Sequence, residues 1–201
     1  MTNIIIIITV LVSITAFYSQ ELMHRLIFNP YMITERKQWY RFLTSGFIHA
    51  DWVHLFINML VLWSFGNVVE RYYAAIFEEK GSFYYFLLYI GGIVIAITPS
   101  YSRHKHNAGY NALGASGAVA AVLFAAILFQ PMAKIYLYGV FGLPGIVLGI
   151  AYLGYSYYMD KKGGDIVNHD AHFWGAIYGV LFTILLKPTV VLHFLDELTS
   201  F

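Results

Sequence analysis

The chain has 201 residues, of which 59% are hydrophobic and 11% are charged. Soluble domains usually carry about 25% charged residues, so this composition predicts a polytopic membrane protein. The formal net charge of +1 argues against nucleic acid as a partner, because nucleic-acid binding needs a strongly basic surface. The chain has no cysteine, which excludes disulfides, thiol catalysis and cysteine-ligated metal sites.

Apolar stretches, taken in chain order, predict the membrane spans. A helix needs about 20 residues to cross the hydrocarbon layer. Six stretches approach this length, and the shorter ones need aromatic flanks or a locally thinned bilayer. They are Ile4–Tyr18, Trp52–Val69, Phe83–Thr98, Ala112–Phe129, Gly145–Met159 and Ala171–Leu186. We expect the first to be a retained span and not a signal peptide, because no Lys or Arg precedes Arg25.

The sequence therefore predicts an all-α membrane protein organised as a single domain over residues 1–201. Its longest connection is the first loop, Ser19–Ala50, where apolar and charged residues interleave. That pattern predicts a segment folded onto the membrane interface. The stretch Lys134–Pro144 contains two glycines and a proline, which disfavour a regular helix. We expect it to form a connection along the membrane, followed by a helix that starts near Gly145.

Three clusters of polar residues lie at the N-terminal ends of the second, fourth and sixth spans. They comprise His49, His54 and Asn58, then Ser116, then His169 with His172. Polar groups inside a membrane cost free energy, so they are candidates for function. Each also has an ordinary explanation, since a serine can bond to its own helix and an asparagine can join two helices. Because successive spans alternate in direction, even-numbered spans begin on one side, and the three clusters are predicted to converge there.

These residue types predict acyl-transfer chemistry. A serine hydroxyl is a weak nucleophile until a base takes its proton, and His172 is the candidate base for Ser116. No third carboxylate is evident, because Asp170 points to another helix face and Asp51 could equally be a helix cap. We therefore infer a dyad and not a triad. The candidate donors to a developing oxyanion are the Ser116 backbone N–H, Asn58 and His54.

Small residues surround both members of the predicted dyad. The candidate nucleophile lies between Gly114 and Gly117, while Gly175 and Gly179 form a GxxxG pattern just after the candidate base. Small faces allow two membrane helices to approach closely. We expect the fourth and sixth helices to touch, which would bring the serine and the histidine within hydrogen-bond reach.

In this order the motifs resemble the rhomboid family of intramembrane serine proteases. The matching segments are WYRFLTSGFIH, HADWVHLFINM, GASGA and AHFWGAIYG. By this resemblance Ser116 is the nucleophile and His172 is the general base. The resemblance also makes His54 and Asn58 the oxyanion-side residues and gives His49 a structural role.

The resemblance further implies a six-transmembrane-helix bundle with a core of about residues 35–187. It implies a bacterial cytoplasmic membrane, with the active site opening to the non-cytoplasmic side. The partners would be transmembrane protein substrates and the lipid bilayer, with no metal or other cofactor. The family's gate corresponds here to Gly145–Met159 and the following loop, Asp160–Asp170. The distribution of Lys and Arg does not decide the orientation, which therefore depends on the resemblance.

One position departs from the family pattern. Many relatives carry an aromatic residue one turn after the serine, stacked on the catalytic histidine, whereas this chain has Ala120. Candidates to replace that ring are Phe173, Trp174 and Tyr110.

Two other functions stay open. Six histidines on the serine face are compatible with a metal transporter or metalloenzyme, although the chain has no HExxH motif. The second alternative is a non-catalytic rhomboid-like protein that binds membrane clients. Such relatives usually lack the serine or the histidine, and this chain retains both.

Overall fold

The structure is a computed structural model that describes residues 1–137, 140–162 and 168–199. Within these residues the chain forms ten α-helices and one β-hairpin. The helices are α1 (Thr2–Phe17), α2 (Gln20–Leu26), α3 (Pro30–Arg36), α4 (Arg41–Thr44), α5 (Trp52–Phe77), α6 (Gly81–His104), α7 (Ser116–Phe129), α8 (Gly145–Lys162), α9 (His169–Leu186) and α10 (Val190–Thr199). Short 3₁₀ turns, Ser45–Phe47 and Glu78–Lys80, precede α5 and α6.

Helices α1 and α5 to α9 overlap the six predicted spans, so a helix at each position is confirmed. The bounds differ in places, because α7 begins at Ser116 and not at Ala112, and α5 and α6 extend beyond the predicted ends at Val69 and Thr98. Their number as membrane crossings stays a prediction. Within the described residues, one continuous helical segment, Trp52–His104, is long and apolar enough to cross a membrane. A second candidate is the pair α9 and α10, bent by 112°, if the two count as one span. Helices α1 and α7 are apolar but shorter.

The first loop is folded, as predicted, and its placement on a membrane interface stays a prediction. Helices α2, α3 and α4 lie within it. The buried guanidinium of Arg41 donates to the backbone carbonyls of His24 and Ile27, at 2.8 Å and 2.6 Å. Phe28 and Ala112 form an isolated antiparallel bridge. The loop is therefore tied to the segment that leads into α7.

Helix α7 lies at the centre of the molecule. Its residues from Gly117 onward are buried, with the exception of Leu123. It packs against α5, α6 and α9. Such burial is possible because most of its first two turns are alanine, glycine and valine, which allow neighbouring backbones to come close.

The stretch Lys134–Pro144 connects α7 to α8 and its described residues are not helical, as predicted. Lys134–Leu137 pairs with Phe141–Pro144 as two antiparallel strands, β1 and β2. Pro144 ends its edge strand, where a missing N–H donor is tolerated. The described fold is therefore mainly helical, as the sequence predicts, and it contains in addition one short β-hairpin. Helix α8 begins at Gly145, as predicted.

Candidate active site

A cavity of about 680 Å³ lies among α5, α7, α8 and α9. Four of the predicted site residues line it: His54, Asn58, Ser116 and His172. The expected convergence of the three even-numbered helix starts is therefore present in the structure. The chemical roles of these side chains stay predictions.

Ser116 is the first residue of α7 and follows a tight backbone turn. Gly114 has φ of +116°, in a region of backbone conformation that favours glycine. A Cβ at Gly114 would also lie 2.7 Å from Cε1 of the His54 ring. The Gly114 N–H donates to the carbonyl of Ser45 at 2.9 Å, which fixes the turn. Glycine is therefore needed at this position both for its backbone conformation and for its lack of a side chain.

His172 lies in the first turn of α9. The helix is capped by Asn168, whose side chain accepts from the backbone N–H of Ala171 at 3.1 Å. The amide of Asn168 also donates to the Tyr110 hydroxyl at 3.2 Å. The start of α9 is thus anchored to the segment that precedes α7.

The imidazole of His172 stacks on Tyr152 of α8, with ring centroids 5.9 Å apart and planes 20° apart. Tyr152 was not among the candidates to support this histidine. Of those candidates, Tyr110 stacks on His104 at 3.7 Å, while Phe173 and Trp174 contact each other edge-on. Helix α8 carries Tyr152, Tyr155, Tyr157 and Tyr158, and the sequence contains no signal that selects one of them.

Asn58 and His54 lie on one face of α5, as their spacing predicted. Asn58 is 5% exposed and donates one amide hydrogen to the His54 carbonyl at 2.9 Å. An amide group has two donor hydrogens, so one stays available. Asp51 accepts from the His54 backbone N–H at 2.8 Å and is therefore the cap of α5.

His49 lies behind the site and is fully buried. Its Nε2 accepts from the backbone N–H of Ala115 at 3.3 Å, and its Nδ1 is 3.0 Å from Ser13 Oγ. Since Ser13 donates to the Phe47 carbonyl, the proton between them is assigned to Nδ1. The pKa of His49 is lowered to about 3, chiefly by burial and to a lesser extent by the nearby His54, while Asp51 opposes both effects. His49 is therefore a neutral residue that joins α1 to the segment before the serine.

The rhomboid-domain family profile matches residues 36–189 of this sequence. The chain belongs to the rhomboid family. Rhomboid proteins are integral membrane proteins, so the membrane class predicted from composition is confirmed. The bacterial cytoplasmic membrane stays a prediction.

Curated rhomboid relatives come from plants, animals and bacteria. Rhomboid-like protein 11, chloroplastic, of Arabidopsis thaliana is 32% identical over 164 residues, covering 74% of this chain and 53% of the relative. Rhomboid protease GluP of Bacillus subtilis (strain 168) is 31% identical over 144 residues, covering 71% and 25%. Presenilin-associated rhomboid-like protein A, mitochondrial, of Danio rerio is 30% identical over 142 residues, covering 68% and 34%. The chain spans about half, or less, of the length of these relatives.

In this rhomboid-family protein the carboxylate nearest to His172 in sequence takes part in an ion pair. Asp170 accepts from Arg103 at 2.8 Å and from the Ser100 hydroxyl at 3.4 Å. Arg103 also donates to Asp160 at 3.2 Å. One arginine of α6 therefore joins the C-terminal end of α8 to the start of α9. Of the loop predicted to form the gate, residues 163–167 lie outside the described residues.

The histidines of the serine face make ring contacts with one another and with tyrosines. The rings of His49 and His54 meet edge-on at 4.9 Å, and His104 stacks on Tyr110. Over the described ranges of the chain, no group of three His, Asp or Glu side chains could hold a metal ion.

Proposed function

We propose that this rhomboid-family protein is an intramembrane serine endopeptidase that cleaves transmembrane protein substrates. Ser116 is the nucleophile and His172 is the general base. The observation that carries the proposal is that both residues line one cavity, at the starts of two helices in backbone contact. Membership of a family that includes the protease GluP supports it.

The first half of the reaction forms an acyl-enzyme. Ser116 Oγ attacks the scissile carbonyl carbon while His172 takes the hydroxyl proton. The developing oxyanion accepts hydrogen bonds from the Ser116 backbone N–H and from the available amide hydrogen of Asn58. His54, whose ring lies against Gly114, is the remaining candidate donor to this oxyanion. His172 then gives its proton to the leaving amine as the C–N bond breaks.

The second half of the reaction uses water. His172 takes a proton from a water molecule that attacks the ester carbonyl. It then gives that proton to Ser116 Oγ as the ester C–O bond breaks and the new carboxyl end leaves. Away from the serine, the cavity is lined by apolar side chains that include Ile57, Val61 and Leu123. Such a lining suits the apolar side chains of a membrane-spanning substrate.

The catalytic unit is a dyad because the nearby carboxylates have other partners. Asp170 pairs with Arg103, and Asp51 caps α5. We propose that α1 and α5 to α9 form six spans of a bacterial cytoplasmic membrane. The starts of α5, α7 and α9 then face the non-cytoplasmic side, where water reaches the cavity.

The test is cleavage of a transmembrane reporter in proteoliposomes. Wild-type protein should release the fragment, whereas Ser116→Ala and His172→Ala should not. Ser64→Ala, at an exposed serine of α5, is the matched control and should cleave normally. Folded wild-type protein that binds the reporter without cleaving it would instead support the non-catalytic client-binding alternative.

A further inference from the structure

The ring of Tyr152 connects α8 to the predicted general base. We propose that Tyr152 is a positioning residue that holds the His172 imidazole in the orientation needed to act on Ser116. The His172 imidazole then has this orientation only while α8 is packed against α9. This inference rests on the proposed serine-protease function. It adds a residue of α8 to those that determine activity, whereas the dyad residues lie on α7 and α9.

The first support is the geometry of the stack. The two rings lie nearly parallel, with centroids 5.9 Å apart. The terminal torsion of a histidine side chain is broad and roughly two-fold, so the backbone alone does not fix the plane of its ring. A flat ring packed against the imidazole restricts that rotation. Tyr152 therefore limits the directions in which the ring nitrogens of His172 can point.

The second support is the space that lets a residue of α8 reach this position. Ala120 and Ala176 form a buried cluster with Phe124, and Tyr152 packs against it. The Tyr152 ring is 6.0 Å from that of Phe124, which fixes it from the α7 side. The small side chain of Ala120 leaves room for the tyrosine, and a large residue at this position would occupy the same space.

The third support is that α8 touches the start of α9 through a second ring. Tyr155 meets His169 edge-on at 5.5 Å, and His169 meets His172 edge-on at 5.8 Å. Two tyrosines of one helix thus contact two histidines of the next. Tyr152 also lines the cavity. A substrate that displaced α8 would remove the ring on which His172 rests, so hydrolysis would have to wait until α8 returns.

The proposal uses the ring of Tyr152 and not its hydroxyl. It therefore predicts different behaviour for two substitutions. Tyr152→Phe keeps a flat ring and should retain most of the wild-type activity. Tyr152→Leu keeps apolar volume without a flat ring and should lose positioning.

The experiment measures the rate at which a small fluorophosphonate probe labels Ser116 in detergent, as a function of pH. Such a probe needs the activated serine but no membrane substrate. We expect Tyr152→Leu to lower the rate by about 10–100-fold, as misplacement of a catalytic group by about 1 Å can do. The midpoint of its pH–rate profile should also move. The matched control is Tyr158→Leu, at a tyrosine of the same helix that is 59% exposed, and it should behave as wild type.

A relocated ring provides an independent test if Tyr152→Leu folds poorly. Ala120→Phe combined with Tyr152→Ala places an aromatic ring on α7 in the vacated space. The double variant should label faster than Tyr152→Ala alone, whereas Ala120→Phe alone should be slow because two large rings compete for one space. Equal rescue by Ala120→Leu combined with Tyr152→Ala would instead show that Tyr152 only fills space.

The outcomes separate the two proposals. If wild-type protein is not labelled, the serine-protease proposal fails and this inference fails with it. If wild type is labelled but folded Tyr152→Leu keeps its rate and pH profile, only the inference fails. A folded double variant with no rescue would also overturn it.

Discussion

A Cβ added at Gly175 would lie 2.1 Å from the carbonyl oxygen of Gly117, so the two residues meet backbone to backbone. One turn later, a Cβ added at Gly179 would lie 2.1 Å from the carbonyl oxygen of Ala121. Helices α7 and α9 therefore touch without intervening side chains. This contact fixes the separation of the two helix starts that carry Ser116 and His172.

Because of this backbone contact, we expect Gly175→Ala to reduce both stability and proteolytic activity strongly. The added methyl group would overlap a carbonyl that cannot rotate away, and the helices would have to separate. We expect the free energy of unfolding to fall by about 1–3 kcal/mol or more, with loss of proteolysis. Thermal unfolding in detergent and reporter cleavage measure the two effects. Gly154→Ala is the control, since a Cβ there would meet nothing within 4 Å, and equal losses in both variants would contradict this interpretation.

The turn before the serine predicts that Gly114→Ala impairs activity more than global stability. A side chain at φ of +116° is strained and would also press on the His54 ring. Such strain costs about 1–3 kcal/mol, and here it would displace the segment that leads into Ser116. Fluorophosphonate labelling and thermal unfolding should be compared with those of Gly109→Ala, where the new Cβ would make only an ordinary contact at 3.5 Å. Normal labelling of Gly114→Ala would show that this turn does not position the serine.

The neutral state of His49 predicts how stability depends on pH. Its pKa is lowered by burial from 6.5 to about 3, so between these values the unfolded state binds a proton that the folded state does not. Stability therefore falls as the pH drops through this window, and it rises again as the pH is raised. His49→Gln removes the titration and keeps an amide near Ala115. Its thermal midpoint should decline less than that of wild type between about pH 7 and pH 4. Parallel declines would mean that other groups carry the acid sensitivity.

Because Arg103 of α6 forms an ion pair with Asp160, we expect this pair to hold the C-terminal end of α8 against α6. Exposed ion pairs contribute about 0–1 kcal/mol to the free energy of unfolding, so Asp160→Asn should change global stability little. It should, however, allow α8 to move away from its neighbours more often. The chain has no cysteine, so Ser156→Cys on the buried face of α8 gives a single reporter. Maleimide labelling of that cysteine should be faster in Asp160→Asn and at high salt. The control is Glu79→Gln, at an exposed position between α5 and α6, which should not change the labelling rate. An unchanged labelling rate in Asp160→Asn would show that the ion pair does not hold α8 in place.

Much of the helix arrangement could be predicted from the sequence, because runs of apolar residues end at polar or helix-breaking positions. The start of α8 at Gly145 follows directly from Pro144. The convergence of Ser116 and His172 followed from the parity of the spans and from the small residues on α7 and α9. These are local patterns that a single sequence contains.

Other features depend on relationships between distant residues and could not be predicted. The β-hairpin requires two short strands to pair, and two glycines and a proline gave no sign of that pairing. Tyr152 reaches His172 only because α8 has a particular rotation and because Ala120 leaves space for its ring. The Arg103 contacts with Asp160 and Asp170 join three helices whose relative heights the sequence does not specify.

The most direct test of the central claim is the site of covalent modification by a fluorophosphonate, mapped by peptide mass spectrometry. We expect a single adduct on Ser116 in folded wild-type protein and none in folded His172→Ala, because the hydroxyl is activated only by that imidazole. An adduct on another serine, or equal modification of Ser116 without His172, would contradict it.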